Sequence, residues 1–298
     1  MKAKVDCFPC FFRQAIEAGR LSGLTDLQIL EVIKKLSKEI QNTNLNILPP
    51  EMGKIIHSIV NGYTGNHDPY REIREKSIKF ALKHYDQLKE IVEEADDKLL
   101  KAVELAIYGN VIDYGAKTED EIERELDTLL NGKELPLKKC KTKFDYEIFK
   151  QRVMKSERLL YIGDNAGETV FDRILIEEIK NENKRVKIFY AVKEKPIVND
   201  AVDEDAVKSG IDNVANIVSS GSDIQGTILS QCKRDFVEIV KSSDLVIAKG
   251  QGNFESLNEE PYPIFFMLMA KCKVIANHLG CEVGDIILCK SKKFGFKN

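Results

Sequence analysis

Leu159-Leu160-Tyr161-Ile162-Gly163-Asp164-Asn165-Ala166-Gly167-Glu168 packs a strand, a turn and the approach to a helix into one short run. The apolar residues 159–162 read as a buried strand, Gly163 ends it, and the amphipathic segment from Thr169 to Ile176 reads as a helix. Strand feeding helix is the repeating unit of a parallel α/β sheet. In such sheets ligands bind just beyond the carboxyl ends of the strands. Asp164 and Asn165, two hard oxygen donors, therefore stand where this architecture keeps its chemistry.

The alternation continues downstream. Strand candidates at 159–162, 186–192, 215–219, 245–248, 274–276 and 286–289 interleave with helix candidates at 169–180, 196–209, 228–241 and 264–271. Upstream the period is helical. Thr25-Asp26-Leu27-Gln28 is a capping box that opens a stripe of Ile29, Ile33, Leu36 and Ile40. Pro49-Pro50 opens a second stripe, Met52, Ile55, Ile56 and Ile59, ended by Gly62. Asp68-Pro69 starts a long helix through Ile73, Ser77, Ala81 and His84, and two more helices are expected, from Asp97 to Tyr108 and from Thr118 to the Asn131-Gly132 stop. The expected fold is α/β: a helical N-terminal domain over 1–150 and a Rossmann-like three-layer α/β/α domain over 151–298 with a mostly parallel sheet. The charged stretch 138–143 is the expected crossing point.

Composition removes several function classes. The chain has 45 basic and 48 acidic side chains, a net charge of −3, which is no electrostatic footprint for nucleic acid or an anionic membrane. Its longest apolar run, 264–270, is too short to span a bilayer. The first residues lack the apolar stretch of a signal peptide, so a cytoplasmic protein is expected. Seven cysteines, an odd number, argue against a complete disulfide framework. Nothing in the sequence reports oligomeric state.

Two further loops fall at strand ends. Asn199-Asp200 follows the 186–192 strand, and neighbouring parallel strands run about 4.8 Å apart. Asp200 is therefore placed to join Asp164 and Asn165 on one divalent cation. Each loop also has a plainer reading, since Asp and Asn are common helix N-caps. Lys249-Gly250-Gln251-Gly252-Asn253-Phe254-Glu255 follows the 245–248 strand. Its two glycines let backbone N–H groups approach an anion and Lys249 adds positive charge, although an ordinary strand-to-helix turn reads the same way. A cation on one side and an anion cradle on the other suit metal-assisted hydrolysis of a phosphate ester.

These residues, with Cys7-Phe8-Pro9-Cys10, Gly109-Asn110-Val111-Ile112-Asp113 and Lys271-Cys272, resemble the damage-control phosphatase family, also known as domain of unknown function 89. The Gly-Asn-Phe-Glu and Lys-Cys pairs resemble signatures of its first subfamily. The resemblance runs over nearly the whole chain. It implies a metal-dependent phosphatase acting on small phosphorylated metabolites, among them sugar phosphates and misplaced or damaged phosphometabolites. It implies Mn²⁺, Ni²⁺, Co²⁺ or Mg²⁺ held by Asp164, Asn165 and Asp200, and Lys249 in contact with phosphate. Asn253 and Glu255 are then expected near substrate or metal-bound water, with Gly250 and Gly252 in the anion loop. The resemblance also implies that Asn110 and Asp113 reach the cleft from the helical domain.

Two roles are open for Asp164, metal ligand or phosphoryl acceptor; Ala166 stands where the second acid of an Asp-x-Asp nucleophile motif belongs, which favours the ligand. A S-adenosylmethionine-dependent methyltransferase and a non-enzymatic phosphometabolite-binding protein are the rival readings. Cys7 and Cys10 are expected to pack as small apolar residues beside Phe8, Phe11 and Phe12.

Overall fold

Residues 1–66, 68–109, 119–130 and 138–293 are described in the computed structural model of the chain. Helix α1 (Phe8–Leu21) carries Pro9 in its first turn, where the missing N–H costs nothing. Helix α2 (Asp26–Gln41) begins at the capping box read from the sequence: the Gln28 N–H donates to the Thr25 hydroxyl and the Thr25 N–H to the Gln28 side chain. Helix α3 (Pro49–Thr64) runs past Gly62 and ends at Gly65, whose φ of 64° closes the helix in the left-handed region. These three helices share a core of Ala15, Ala18, Val32, Leu36, Met52 and Ile56.

Next come α4 (Arg71–Lys83), α5 (Tyr85–Glu93), α6 (Lys98–Tyr108) and α7 (Glu119–Leu130). The helix expected after Asp68-Pro69 and through His84 is α4, and α5 follows it as a further helix that the sequence reading did not include. The Asp68 carboxylate is taken by Arg74 instead, at 2.6 and 2.9 Å, and the Arg74 Nε donates to Asp205 at 2.9 Å. Arg74 is 1% exposed, so this ion cluster fastens the helical half to the α/β half from within.

The α/β half runs β1 (Lys139–Phe144), α8 (Tyr146–Lys155), β2 (Arg158–Ile162), α9 (Thr169–Glu182), β3 (Lys187–Val192), α10 (Asp203–Lys208), β4 (Asn216–Ser219), α11 (Arg234–Lys241), β5 (Leu245–Lys249), α12 (Gly250–Leu257), β6 (Ile264–Met269), α13 (Lys273–Leu279) and β7 (Ile286–Lys290). The seven strands form one sheet in the order β1-β7-β6-β5-β2-β3-β4, and every pair is parallel except β6 with β7. Strand residues alternate between two cores. Leu159, Tyr161, Ile247 and Phe265 pack with α6 and α9 on one face. Leu160, Ile162, Val246 and Phe266 pack with α11, α12 and α13 on the other. Helices on both faces of a mostly parallel sheet are the expected three-layer α/β arrangement. From β2 the chain steps outward to β3 and β4, then returns to β2's other flank with β5. The crevice between the carboxyl ends of β2 and β5 is thus a topological switch point.

Two assignments exchange places. The stretch 264–271, expected as helix, contains strand β6, and 274–276, expected as strand, lies in helix α13. β6 is central and buried on both faces, so Ile-Phe-Phe-Met-Leu-Met shows neither period. In α13 the burial of Ile275, Ala276 and Leu279 follows helical spacing, and Gly280 at φ 71° terminates it. The stretch 138–143, expected as a domain crossing, contributes the edge strand β1. No helix of the described residues is long and apolar enough to cross a membrane.

Candidate active site

The switch point is built by backbone clamps. Gly163 extends β2, donating its N–H to the Ala191 carbonyl at 3.1 Å. A Cβ at this residue would sit 2.5 Å from the Tyr190 hydroxyl oxygen, so only glycine fits. The next residues pair antiparallel with the loop after β3: the Ala201 N–H donates to the Asp164 carbonyl at 2.8 Å and the Ala166 N–H to the Asn199 carbonyl at 2.9 Å. This bridge sets Asn165 opposite Asp200. The three oxygen-bearing side chains read from the sequence, Asp164, Asn165 and Asp200, all line one cleft. Val198 on the same loop has φ 49°, a strained value for a β-branched residue, and such strain concentrates at functional sites.

The electrostatics of this rim are unbalanced. Asp200 is 2% exposed, yet its Oδ2 has no hydrogen-bond partner. Its nearest cation, the Lys193 ammonium, lies 3.4 Å away and donates to the Gly226 carbonyl. Burial pushes the Asp200 carboxyl up to about 6, against the pull of Lys193. Burial, then the Glu168 and Asp200 carboxylates, hold Asp164 well above the usual carboxylate range. The Asn165 amide donates its N–H to Glu168 Oε1 at 2.7 Å, which turns its oxygen the other way. Gly250, at φ 78°, faces Asp164 so closely that a Cβ would fall 1.8 Å from Oδ2. Past it, the first N–H groups of α12 have no acceptor inside the helix, and Gln251 and Gly252 line the cleft.

Lys249 is not where a phosphate contact was expected. It is fully buried, and its ammonium donates to Glu168 Oε2 at 2.8 Å and Asp172 Oδ1 at 2.7 Å. Asp172 also accepts the Tyr161 and Tyr190 hydroxyls, each at 2.7 Å. Lys249 bridges two buried acids behind the rim and is not among the residues lining the cleft. Asn253 is likewise turned inward. Its amide donates to the Gly163 and Lys249 carbonyls at 3.1 and 2.7 Å and accepts from the Thr227 hydroxyl at 2.8 Å, locking the ends of β2 and β5 together. Glu255 does line the cleft; burial raises it to about 7, opposed by the Gln251 amide that donates to it at 2.9 Å. Asn110 and Asp113 lie outside the described residues.

The cleft, of about 1020 Å³, is walled by α1 on one side and the sheet's carboxyl edge on the other. Residues to which the sequence reading gave no role in the site add positive charge to it. Arg13 and Arg20 come from α1, and exposed Lys271 comes from the turn after β6. Lys271 is close enough to Asp164 to oppose the rise of its carboxyl. The Lys271-Cys272 pair in the sequence was the available signal. Cys7 packs against the core of α1–α3, as expected of a small apolar residue, whereas Cys10 is exposed and accepts from the Arg13 guanidinium at 3.3 Å.

Sheet order and a cleft at the switch point define a doubly wound α/β protein with a candidate site at the carboxyl ends of its strands. A family model described as Damage-control phosphatase ARMT1-like domain matches residues 3–287, and the chain belongs to this family. It is similar over 97% of its length, at 39% identity, to 96% of an uncharacterized protein of Methanocaldococcus jannaschii. It is 36% identical to a damage-control phosphatase of Pyrococcus horikoshii, covering 98% of this chain and 99% of that one. A damage-control phosphatase of Archaeoglobus fulgidus is 31% identical, covering 96% and 98% of the two chains. The crystal structure of a DUF89 family protein from Pyrococcus horikoshii superposes with a TM-score of 0.85 at 31% identity, covering 98% of this chain and all of that one.

Proposed function

We propose that this protein is a divalent-metal-dependent phosphatase that hydrolyses small phosphorylated metabolites in a damage-control role. The carrying observation is the Asp200 Oδ2, buried and without a hydrogen-bond donor beside Asp164. Two carboxylates and an amide oxygen form a hard donor set suited to Mn²⁺, Mg²⁺, Co²⁺ or Ni²⁺. Asp164, Asn165 and Asp200 would hold the ion, which when bound polarises the phosphoryl oxygen and lowers the pKa of water.

The chain's own groups do the rest. Lys271 and the free N–H groups at the start of α12 bind the phosphoryl oxygens, and the helix end favours the negative charge. Glu255, raised to about 7 by burial, is poised to take or return a proton near neutral pH. Lys249 and Asn253 act as positioning residues: one holds Glu168, which orients Asn165, and the other fixes the ends of the two strands. Asp164 serves as ligand in this scheme and not as phosphoryl acceptor. The division at 150/151 is likewise proposed; α1–α3 have a core of their own, while α4–α7 share the core on one face of the sheet.

The test is phosphate release from metal-stripped protein with each divalent ion restored singly, against sugar phosphates, nucleotides and phosphopantetheine. Release that requires an added ion is expected. Folded protein silent with every ion, or equally active in chelator, contradicts the proposal.

A further inference from the structure

On the β1 side of the sheet, two thiols and a carboxylate meet. Cys140 lies on β1, Cys281 follows α13, and Asp285 precedes β7. Among the described residues their ligand atoms all lie within 4.8 Å of one another. In a tetrahedral zinc site with Zn–S near 2.3 Å and Zn–O near 2.1 Å, ligand atoms are roughly 3.6–3.8 Å apart. Closing the three atoms onto one ion thus takes a shift of about 1 Å or less.

The surroundings suit a ligand set. Cys140 and Asp285 are 1% and 4% exposed, while half-buried Cys281 leaves a path for the ion. The Glu282 N–H donates to Asp285 Oδ2 at 2.9 Å, fixing the carboxylate and leaving its other oxygen. The Thr142 hydroxyl lies 3.6 Å from the Cys140 sulfur. Partners of this kind orient metal ligands. As core packing the two thiols would need no acid between them.

We propose that Cys140, Cys281 and Asp285 form a zinc site separate from the oxygen-only rim, with water as fourth ligand. Two thiolates select a borderline-soft ion over Mg²⁺ or Mn²⁺. Binding converts both thiols to thiolates, releases two protons to solvent and consumes no oxidant. The site bears on the cleft through its loop. The Ala270 N–H donates to the Asp285 carbonyl at 3.0 Å and the Gly284 N–H to the Ala270 carbonyl at 2.9 Å, and the residue after Ala270 is Lys271. The ion pins the turn that presents that lysine.

The test is a cobalt(II) titration of the full chain, stripped of metal under reducing conditions. A near-ultraviolet thiolate-to-cobalt band and strong tetrahedral visible bands should saturate at one equivalent and vanish when zinc is added. The band should survive Asp200→Asn and Cys10→Ser and disappear in Cys140→Ser. Asp285→Asn, which keeps both thiols, should weaken binding about 10-fold or more. The wild-type spectrum depends on no variant folding, so a wild type without the thiolate band overturns the proposal. So does a band that persists in Cys140→Ser, or a Cys140–Cys281 disulfide in the unreduced native protein.

Discussion

Two acid clusters sit within a few residues of each other at the end of β2, and they are opposites. Behind the rim, Glu168 and Asp172 share the Lys249 ammonium, and two tyrosine hydroxyls donate to Asp172. On the rim, Asp164 and Asp200 face each other with only the 3.4 Å Lys193 contact to relieve Asp200. Both are buried and both raise carboxyl pKa values above the ordinary range. In the first, the ammonium and the tyrosine hydroxyls hydrogen-bond the acids; in the second, the Asp200 Oδ2 is left without a hydrogen-bond partner. Buried polar groups are normally paired, so the unpartnered carboxylate oxygen supports the proposed seat of a cation there.

The largest expected effect comes from removing rim charge. Asp200→Asn should cut kcat/KM by on the order of 10³-fold or more, because it takes a ligand from the proposed cation. Its stability should change by only about 1 kcal/mol, since relief of carboxylate desolvation offsets the lost Lys193 contact. Equal loss of stability and activity would erase the distinction between the clusters. Lys249→Met should do the reverse first: it strands two dry carboxylates and should cost about 3–5 kcal/mol in chemical denaturation. A Lys249→Met protein as stable as wild type would show that this lysine is no structural counter-ion.

Lys271→Ala sharpens the contrast on the cleft side. The lysine is exposed, so melting should shift little, while kcat/KM falls about 10²-fold. An unchanged kcat/KM would remove Lys271 from the phosphate contact. A last effect, away from the rim, concerns His57, beneath the α1 wall, where burial lowers its pKa to about 4 from 6.5. The unfolded chain binds this proton more tightly, so His57 contributes stability that is full above about 6.5 and is lost as pH falls toward 4. The difference between wild type and His57→Phe in unfolding free energy from urea denaturation should therefore change by about 3 kcal/mol across that window. A pH-independent difference would contradict the buried neutral imidazole.

The sequence carried the rim because its parts are local. A strand, a glycine and two oxygen donors are contiguous at 159–165, and parallel strands bring Asp200 alongside. β6 was hidden because a strand buried on both faces has no period to read. The Lys249 ion pairs were hidden for a different reason: a lysine after a strand looks free until its acids are located. The signal was there in Asp172, an acid set among Val170, Phe171, Ile174 and Leu175 on a helix face that had to be buried. Such an acid demands a buried cation. The α1 wall, with Arg13 and Arg20 over the cleft, depends on packing between distant segments that no local pattern encodes.

Manganese titration of metal-stripped protein, followed by loss of the free-ion electron paramagnetic resonance signal, addresses the rim most directly. Wild type should take up one Mn²⁺ and Lys271→Ala should match it, whereas Asp200→Asn should leave the ion free. Undiminished uptake by Asp200→Asn would place the cation elsewhere and contradict the account.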